Sequence, residues 1–317
     1  MNSLFYSVSF ALSFFYKLSL LSSDFDPSDI ALHKKKIIEE ILSTPSKTQG
    51  LPYQLTRAIY IINQDDSDYI PKVDGAGEIF NDGETSYQLM HNGTKIIFNS
   101  YYNIDWITDV ITALRGHHEP QEEKCFYEVL KYIPEGATMI ELGAYWGYYS
   151  LWFSETVKNA KNYLVEPDLH RLNTGKANFL LNGKKAVFVQ GYLGIKADSD
   201  PDYTNAPKIS LDAFLEDQCI DHVNILHADI QGAEYEMLLS CAESIRRKVI
   251  DYFFISTHVS GYANPDDIHH KCINFLVERG YDILAEDNCS PKGFSDGIIC
   301  ARRCDILGPQ KIEIKKY

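Results

Sequence analysis

Apolar residues fall along this chain in short runs that end on acids or glycines, separated by longer stretches with helical spacing. The clearest unit lies between Thr138 and Asp168. Thr138-Met139-Ile140-Glu141 is apolar up to a closing carboxylate and predicts a buried parallel strand. Gly143-Ala144-Tyr145-Trp146-Gly147 predicts a turn, and the apolar run from Tyr148 to about Thr156 predicts a helix. Tyr163-Leu164-Val165 reads as a second strand, again ending on an acid, Glu166. This is a βαβ unit with glycines at its first strand-to-helix turn.

The alternation continues downstream. Asp168 is placed to cap a helix ending near Gly183, and Ala186 to Gln190 predicts a third strand, followed by Gly191-Tyr192-Leu193-Gly194. Ser210 opens a short helix to about Asp217. Val223 to Ala228 predicts a fourth strand, running into Asp229-Ile230-Gln231-Gly232-Ala233-Glu234 and a helix through Met237 and Leu238. Ile250 to Ser256 predicts a fifth, ending at Thr257-His258, and Asn264-Pro265 opens a helix that stops at Gly280. Two last strands, about Tyr281–Ala285 and Gly297–Ala301, form a hairpin. The expected fold is α/β: a Rossmann-like, mostly parallel sheet with helices on both faces and a closing antiparallel hairpin.

Residues 1–114 read as an accessory region and 115–317 as the α/β domain. Leu4, Val8, Ala11, Leu12 and Phe15 have helical spacing, which predicts an amphipathic helix packing on its own domain, on a second subunit, or on a membrane surface. No basic residue precedes this run, against a signal peptide, and its serines and Lys17 make it too polar for a membrane span. A helix from Pro27 to about Leu42, a loop over residues 63 to 85, and a hairpin around His91-Asn92-Gly93-Thr94 follow. His117-His118-Glu119 leads into another helix. Its paired histidines lack an evident third metal ligand, and the segment is expected to fold over a bound cofactor.

The turn's chemistry narrows that cofactor. Glycines let backbone approach a ligand, a helix N-terminus offers N–H groups, and an acid ending the second strand suits two ribose hydroxyls. The spacing G-x-x-x-G, with Tyr145 and Trp146 inside, crowds a pyrophosphate, unlike G-x-G-x-x-G. Glu141 would repel phosphate but attract an ammonium or sulfonium. S-adenosylmethionine (SAM) is favoured over NAD. Another nucleotide-dependent α/β enzyme and a non-catalytic SAM-binding or scaffold protein are the alternatives.

With 30 basic and 44 acidic residues, the formal charge of −14 opposes nucleic-acid binding. A mean hydropathy of −0.23 is that of an ordinary soluble protein. Seven scattered cysteines without a C-x-x-C pair fit reduced thiols in a cytoplasmic protein.

The ordered motifs Glu141 to Ser150, Val165-Glu166-Pro167, Ser210 to Phe214 and Asp229 to Glu234 resemble the FkbM family of SAM-dependent methyltransferases. The likeness covers about residues 115 to 303. The resemblance implies methyl transfer to a hydroxyl oxygen, frequently of a sugar or secondary metabolite. Family members often carry Asn where this chain has Tyr145, and Glu where it has His258. Candidate cofactor residues are Glu119, Glu141, Gly143, Ala144, Tyr145, Gly147, Tyr148, Glu166, Asp168, Gln190, Gly191, Tyr192, Asp229 and Gln231. The catalytic candidates are His258, as a neutral imidazole accepting the acceptor's proton, Asp229, as the base itself or its orienter, and Glu234. Asp229 could also share in holding Mg2+, but no Asp-Asp pair is present, and metal dependence is left open. The partner is a small molecule or glycan with a free hydroxyl.

Overall fold

The computed structural model describes residues 27–44, 52–101, 105–193, 206–258, 265–289 and 294–316. The apolar segment at residues 4–21 lies outside them. By backbone contacts the chain divides into two compact units, residues 1–134 with 317, and residues 135–316.

In the first unit, helices α1 (Pro27–Ser43), α2 (Pro52–Ile62), α3 (Asp105–Ala113) and α4 (Pro120–Leu130) accompany a small antiparallel sheet of β1 (Ile79–Asn81), β2 (Ser86–Leu89) and β3 (Lys95–Ile97). The expected hairpin is β2–β3, with Leu89 opposite Lys95 across the Asn92-Gly93 turn. β1 corrects the expectation of a loop over 63 to 85. Its three residues lie in a stretch rich in Asp and Gly, where the pattern is too short to register, and they pair along β2 from Ile79 opposite Gln88.

The second unit is a seven-stranded sheet ordered β6-β5-β4-β7-β8-β10-β9. It comprises β4 (Thr138–Leu142), β5 (Lys161–Glu166), β6 (Val187–Gln190), β7 (Val223–Asp229), β8 (Ile250–Thr257), β9 (Tyr281–Asp287) and β10 (Gly297–Arg303). The first five are parallel, and β10 runs antiparallel to both β8 and β9. Between them run α5 (Tyr148–Thr156), α6 (Leu169–Leu181), α7 (Leu211–Asp217), α8 (Glu234–Ser240), α9 (Ala242–Arg246) and α10 (Pro265–Val277). β4 and β8 are buried at every position, as expected of strands covered on both faces. In β7 only the last residue, Asp229, is not buried. Strand order reverses between β4 and β7, so their C-terminal ends border the crevice where such sheets bind ligands.

Candidate active site

The turn after β4 is fixed mainly by packing. Gly143 has φ +73°, and a Cβ there would strike the Asp229 carbonyl oxygen at the end of β7. Gly147 has φ +72°, and its Cβ would come within 2.9 Å of Leu164 Cδ2. On α6, a Cβ on Gly175 would come within 2.8 Å of the Tyr145 carbonyl oxygen. Asn178 Nδ2 donates to the Trp146 carbonyl at 3.0 Å. The glycines thus let three pieces of backbone meet, a requirement the spacing alone does not distinguish from ligand approach. Tyr145 takes φ +40°, unusual for an aromatic residue, and its ring lies 5.2 Å from the Arg171 guanidinium. The Tyr148 ring is buried and stacks on Trp146 at 5.4 Å.

Glu166 collects this turn. Its Oε2 accepts the Tyr145 N–H and its Oε1 the Asp168 N–H, both at 3.1 Å. Asp168 in turn accepts from Arg171 N at 2.7 Å and caps α6. Burial pushes the Glu166 carboxyl up from its ordinary range, against the two N–H bonds and the Arg171 charge. Each carboxylate oxygen accepts one backbone N–H and can accept a second hydrogen bond. A buried carboxylate at a strand tip with an acceptor position left on each oxygen fits a ribose diol, so the residues present fit SAM.

Glu141 is employed differently from the expectation that it holds a cationic group. Its Oε2 accepts Ser150 N at 3.0 Å, and Tyr149 N also donates to the carboxyl, so it caps the N-terminus of α5. Burial raises its pKa, opposed by His227 and these N–H groups. Gln190 Nε2 donates to the Pro167 carbonyl at 3.1 Å, tying the β6 end to the β5 tip. Gly191 N donates to Glu166 O, and Tyr192 N to Pro207 O. A Cβ on Gly191 would strike Ile209, so packing again requires the glycine.

At the ends of β7 and β8, charged side chains meet. His258 Nδ1 donates to Glu234 Oε1 at 2.9 Å, and its Nε2 lies 3.2 Å from Asp229 Oδ1 and 3.7 Å from Asp296 Oδ1. Gln231, with φ +54°, donates from Nε2 to Asp229 Oδ1 at 2.8 Å. Glu234 is fully buried and also accepts Gly232 N at 2.9 Å. It therefore acts on an acceptor only through His258. Burial works to lower the His258 pKa, but Asp229, Glu234 and Asp296 outweigh it and push it up to about 10. Gln231 Nε2 also lies 2.9 Å from His258 Nε2, the contact an amide N–H makes with a ring nitrogen that accepts. The acids around the ring favour its protonated form and the Gln231 contact favours the neutral imidazole that was expected as the base.

Asp296 is the residue sequence reasoning missed. A signal was available: an acid immediately before an antiparallel strand stands at the same end of the sheet as acids that close parallel strands. Among the described residues, no group of three or more His, Cys, Asp or Glu side chains is arranged to hold a metal ion.

In the first unit, the Glu123 carboxylate receives both histidines of the pair. His117 Nδ1 meets Oε2, and His118 Nδ1 lies 2.8 Å from Oε1. His118 Nε2 also lies 3.3 Å from Glu119 Oε2, so this pairing engages the carboxylate of Glu119. Burial takes His117 down to about 4, while in His118 Glu119 and Glu123 overcome burial and raise it to about 10.

Comparison with known proteins gives three kinds of result. A model described as the methyltransferase FkbM domain matches residues 118–283. No curated protein matches. Among solved structures, M. capricolum TrmK bound to S-adenosyl-homocysteine is 13% identical, with 56% of this chain and 67% of that chain covered and a TM-score of 0.38. Aeropyrum pernix fibrillarin with bound S-adenosyl-L-methionine is 15% identical, with 53% and 67% covered and a TM-score of 0.37. Geobacter metallireducens precorrin-6y C5,15-methyltransferase is 14% identical, with 59% and 89% covered and a TM-score of 0.36. Identities and scores this low bear on neither substrate nor mechanism. The family match spans more than half the sequence, and the chain belongs to the FkbM family of SAM-dependent methyltransferases.

Proposed function

We propose that the protein transfers a methyl group from SAM to a hydroxyl oxygen of a sugar, glycan or secondary metabolite, without Mg2+. Asp229 carries the reading. Its side chain is 30% exposed at the end of β7, whereas Glu234 is sealed and Glu141 and Glu166 are bonded to backbone N–H groups. An ionised carboxylate open to the crevice can accept a hydroxyl proton, a contribution of about 10²–10⁴-fold.

Glu166 would hold the ribose, with the turn at Gly143–Gly147 beside it. Bound SAM would supply a methyl carbon on a positive sulfur that departs with the bonding pair. As the acceptor oxygen gains the methyl, its proton passes to Asp229. Gln231 and His258 hold that carboxylate in one orientation, so little reorganisation is needed. The charge of −14 supports a small or neutral acceptor over a polyanion. Among the described residues no helix is long and apolar enough to cross a membrane, and seven free thiols support a cytoplasmic setting.

Incubation with methyl-labelled SAM and a panel of glycans and hydroxylated metabolites, read by product mass, tests the proposal. Label on an acceptor oxygen is the expected result. Transfer only to nitrogen or carbon, or no transfer across the panel, would overturn it.

A further inference from the structure

Three consecutive N–H groups lace the turn after β4 onto the tip of β5. Gly143 N and Ala144 N both donate to the Val165 carbonyl, at 2.9 and 3.1 Å, and Tyr145 N donates to Glu166 Oε2 at 3.1 Å. The first two bonds end on main chain. The third ends on a side chain, the carboxylate that would hold the ribose, so the aim of the Tyr145 N–H bears directly on the cofactor site. That N–H belongs to a residue with φ +40°, in the left-handed region that disfavours any residue carrying a Cβ.

Arg171, in the first turn of α6, touches both residues whose N–H groups hold Glu166. Its guanidinium carbon lies 5.2 Å from the Tyr145 ring centroid, within the range where a cation is attracted to an aromatic face. Its own N–H donates to Asp168 Oδ1 at 2.7 Å, and Asp168 N donates to Glu166 Oε1 at 3.1 Å. Glu166, Tyr145, Arg171 and Asp168 therefore form a closed circuit. The Asp168 side of it is made by the Arg171 main chain, and the guanidinium closes it through the Tyr145 ring.

We propose, resting on the reading of Glu166 as the ribose carboxylate, that Arg171 is a positioning residue of the cofactor site. Its guanidinium clamps the Tyr145 ring, which keeps the left-handed backbone in place and the Tyr145 N–H on Glu166 Oε2. The carboxylate is then presented to the ribose hydroxyls in one orientation before SAM arrives, which lowers the cost of binding. The same positive charge also favours ionised Glu166. That second route bypasses the ring, and the experiment separates the two.

Arg171→Ala leaves the α6 cap intact, because the donor to Asp168 is main chain. Two readouts test the clamp: SAM affinity by calorimetry, and hydrogen exchange of the Tyr145 amide in the cofactor-free protein. Arg171→Ala should weaken SAM binding about fivefold and speed the exchange by about the same factor. Arg171→Lys, which keeps a cation, should recover most of both. In a Tyr145→Asn background the ring is gone and the side chain tolerates the left-handed backbone, so Arg171→Ala should cost about twofold or less. An equal loss of affinity in both backgrounds would overturn the clamp and leave Arg171 acting through its charge. Unchanged exchange would overturn it whatever the affinity, and faster exchange with unchanged affinity would overturn the role in cofactor binding. If the wild type binds no SAM, that role falls with the reading of Glu166, and the exchange still decides whether the guanidinium holds the ring.

Discussion

Glu166 and Asp229 close two strands, β5 and β7, that flank β4 in one parallel sheet, yet they are held by different means. Glu166 is gripped by main-chain N–H groups at positions 145 and 168, one on each oxygen. Asp229 is set by side chains, Gln231 and His258, the second of them shared with Glu234 and Asp296. Backbone donors survive most substitutions, whereas a side-chain cluster can be dismantled one residue at a time. The cofactor end of the crevice should therefore tolerate changes that silence the reaction end.

The sharpest way to break that contrast is Asp229→Asn. It keeps shape but removes the charge, and should cut turnover about 10²–10⁴-fold while the cofactor affinity stays within about twofold. Single-turnover assays beside calorimetry would show the split, and equal losses in both would join the two ends into one. His258→Ala should cost about 100-fold in turnover and about 3–5 kcal/mol of stability in denaturant titrations, because Glu234 would be left buried without its partner. A nearly active, fully stable variant would show that the cluster is incidental.

At the other end, Glu166→Ala should weaken SAM binding by about 1.5–3 kcal/mol, the loss of two charge-assisted hydrogen bonds. Wild-type affinity by calorimetry would remove Glu166 from the ribose site. The smallest effect is expected of Tyr145→Asn. The N–H that meets Glu166 remains, and Asn accepts the left-handed backbone more readily than Tyr, so affinity should change by less than about threefold. A tenfold loss would mean that the ring, not the backbone, serves the cofactor.

The same division explains what could be read from the sequence. The strands, the G-x-x-x-G turn and Glu166 were legible because each follows from spacing within one βαβ unit. The Asp168 cap on α6 was legible for the same reason, with its partner three residues away. The glycines were found for an incomplete reason, since the carbonyl that Gly143 approaches belongs to Asp229, far along the chain. His258 was recognisable as the first basic group beyond a buried strand, but its surroundings were not. The upward push on its pKa comes from Asp229, Glu234 and Asp296 converging from three elements, which no local pattern records. Three-residue β1 escaped notice because only its pairing with β2 defines it.

The central claim is that a carboxylate, and not a neutral imidazole, accepts the proton. The folded pKa of His258 lies above the ordinary 6.5, so its pairing contributes stability fully below about pH 6.5. That contribution is lost as pH rises through about 10. Its positioning of Asp229 should follow the same course. The most direct measurement is the pH dependence of single-turnover methyl transfer by the wild-type enzyme. The account predicts a level rate through about pH 6–7.5, with a decline only on approach to pH 10. A rate that climbs through pH 6–7.5 with an imidazole-like midpoint, and climbs no longer in His258→Ala, would return the proton to the histidine and contradict it.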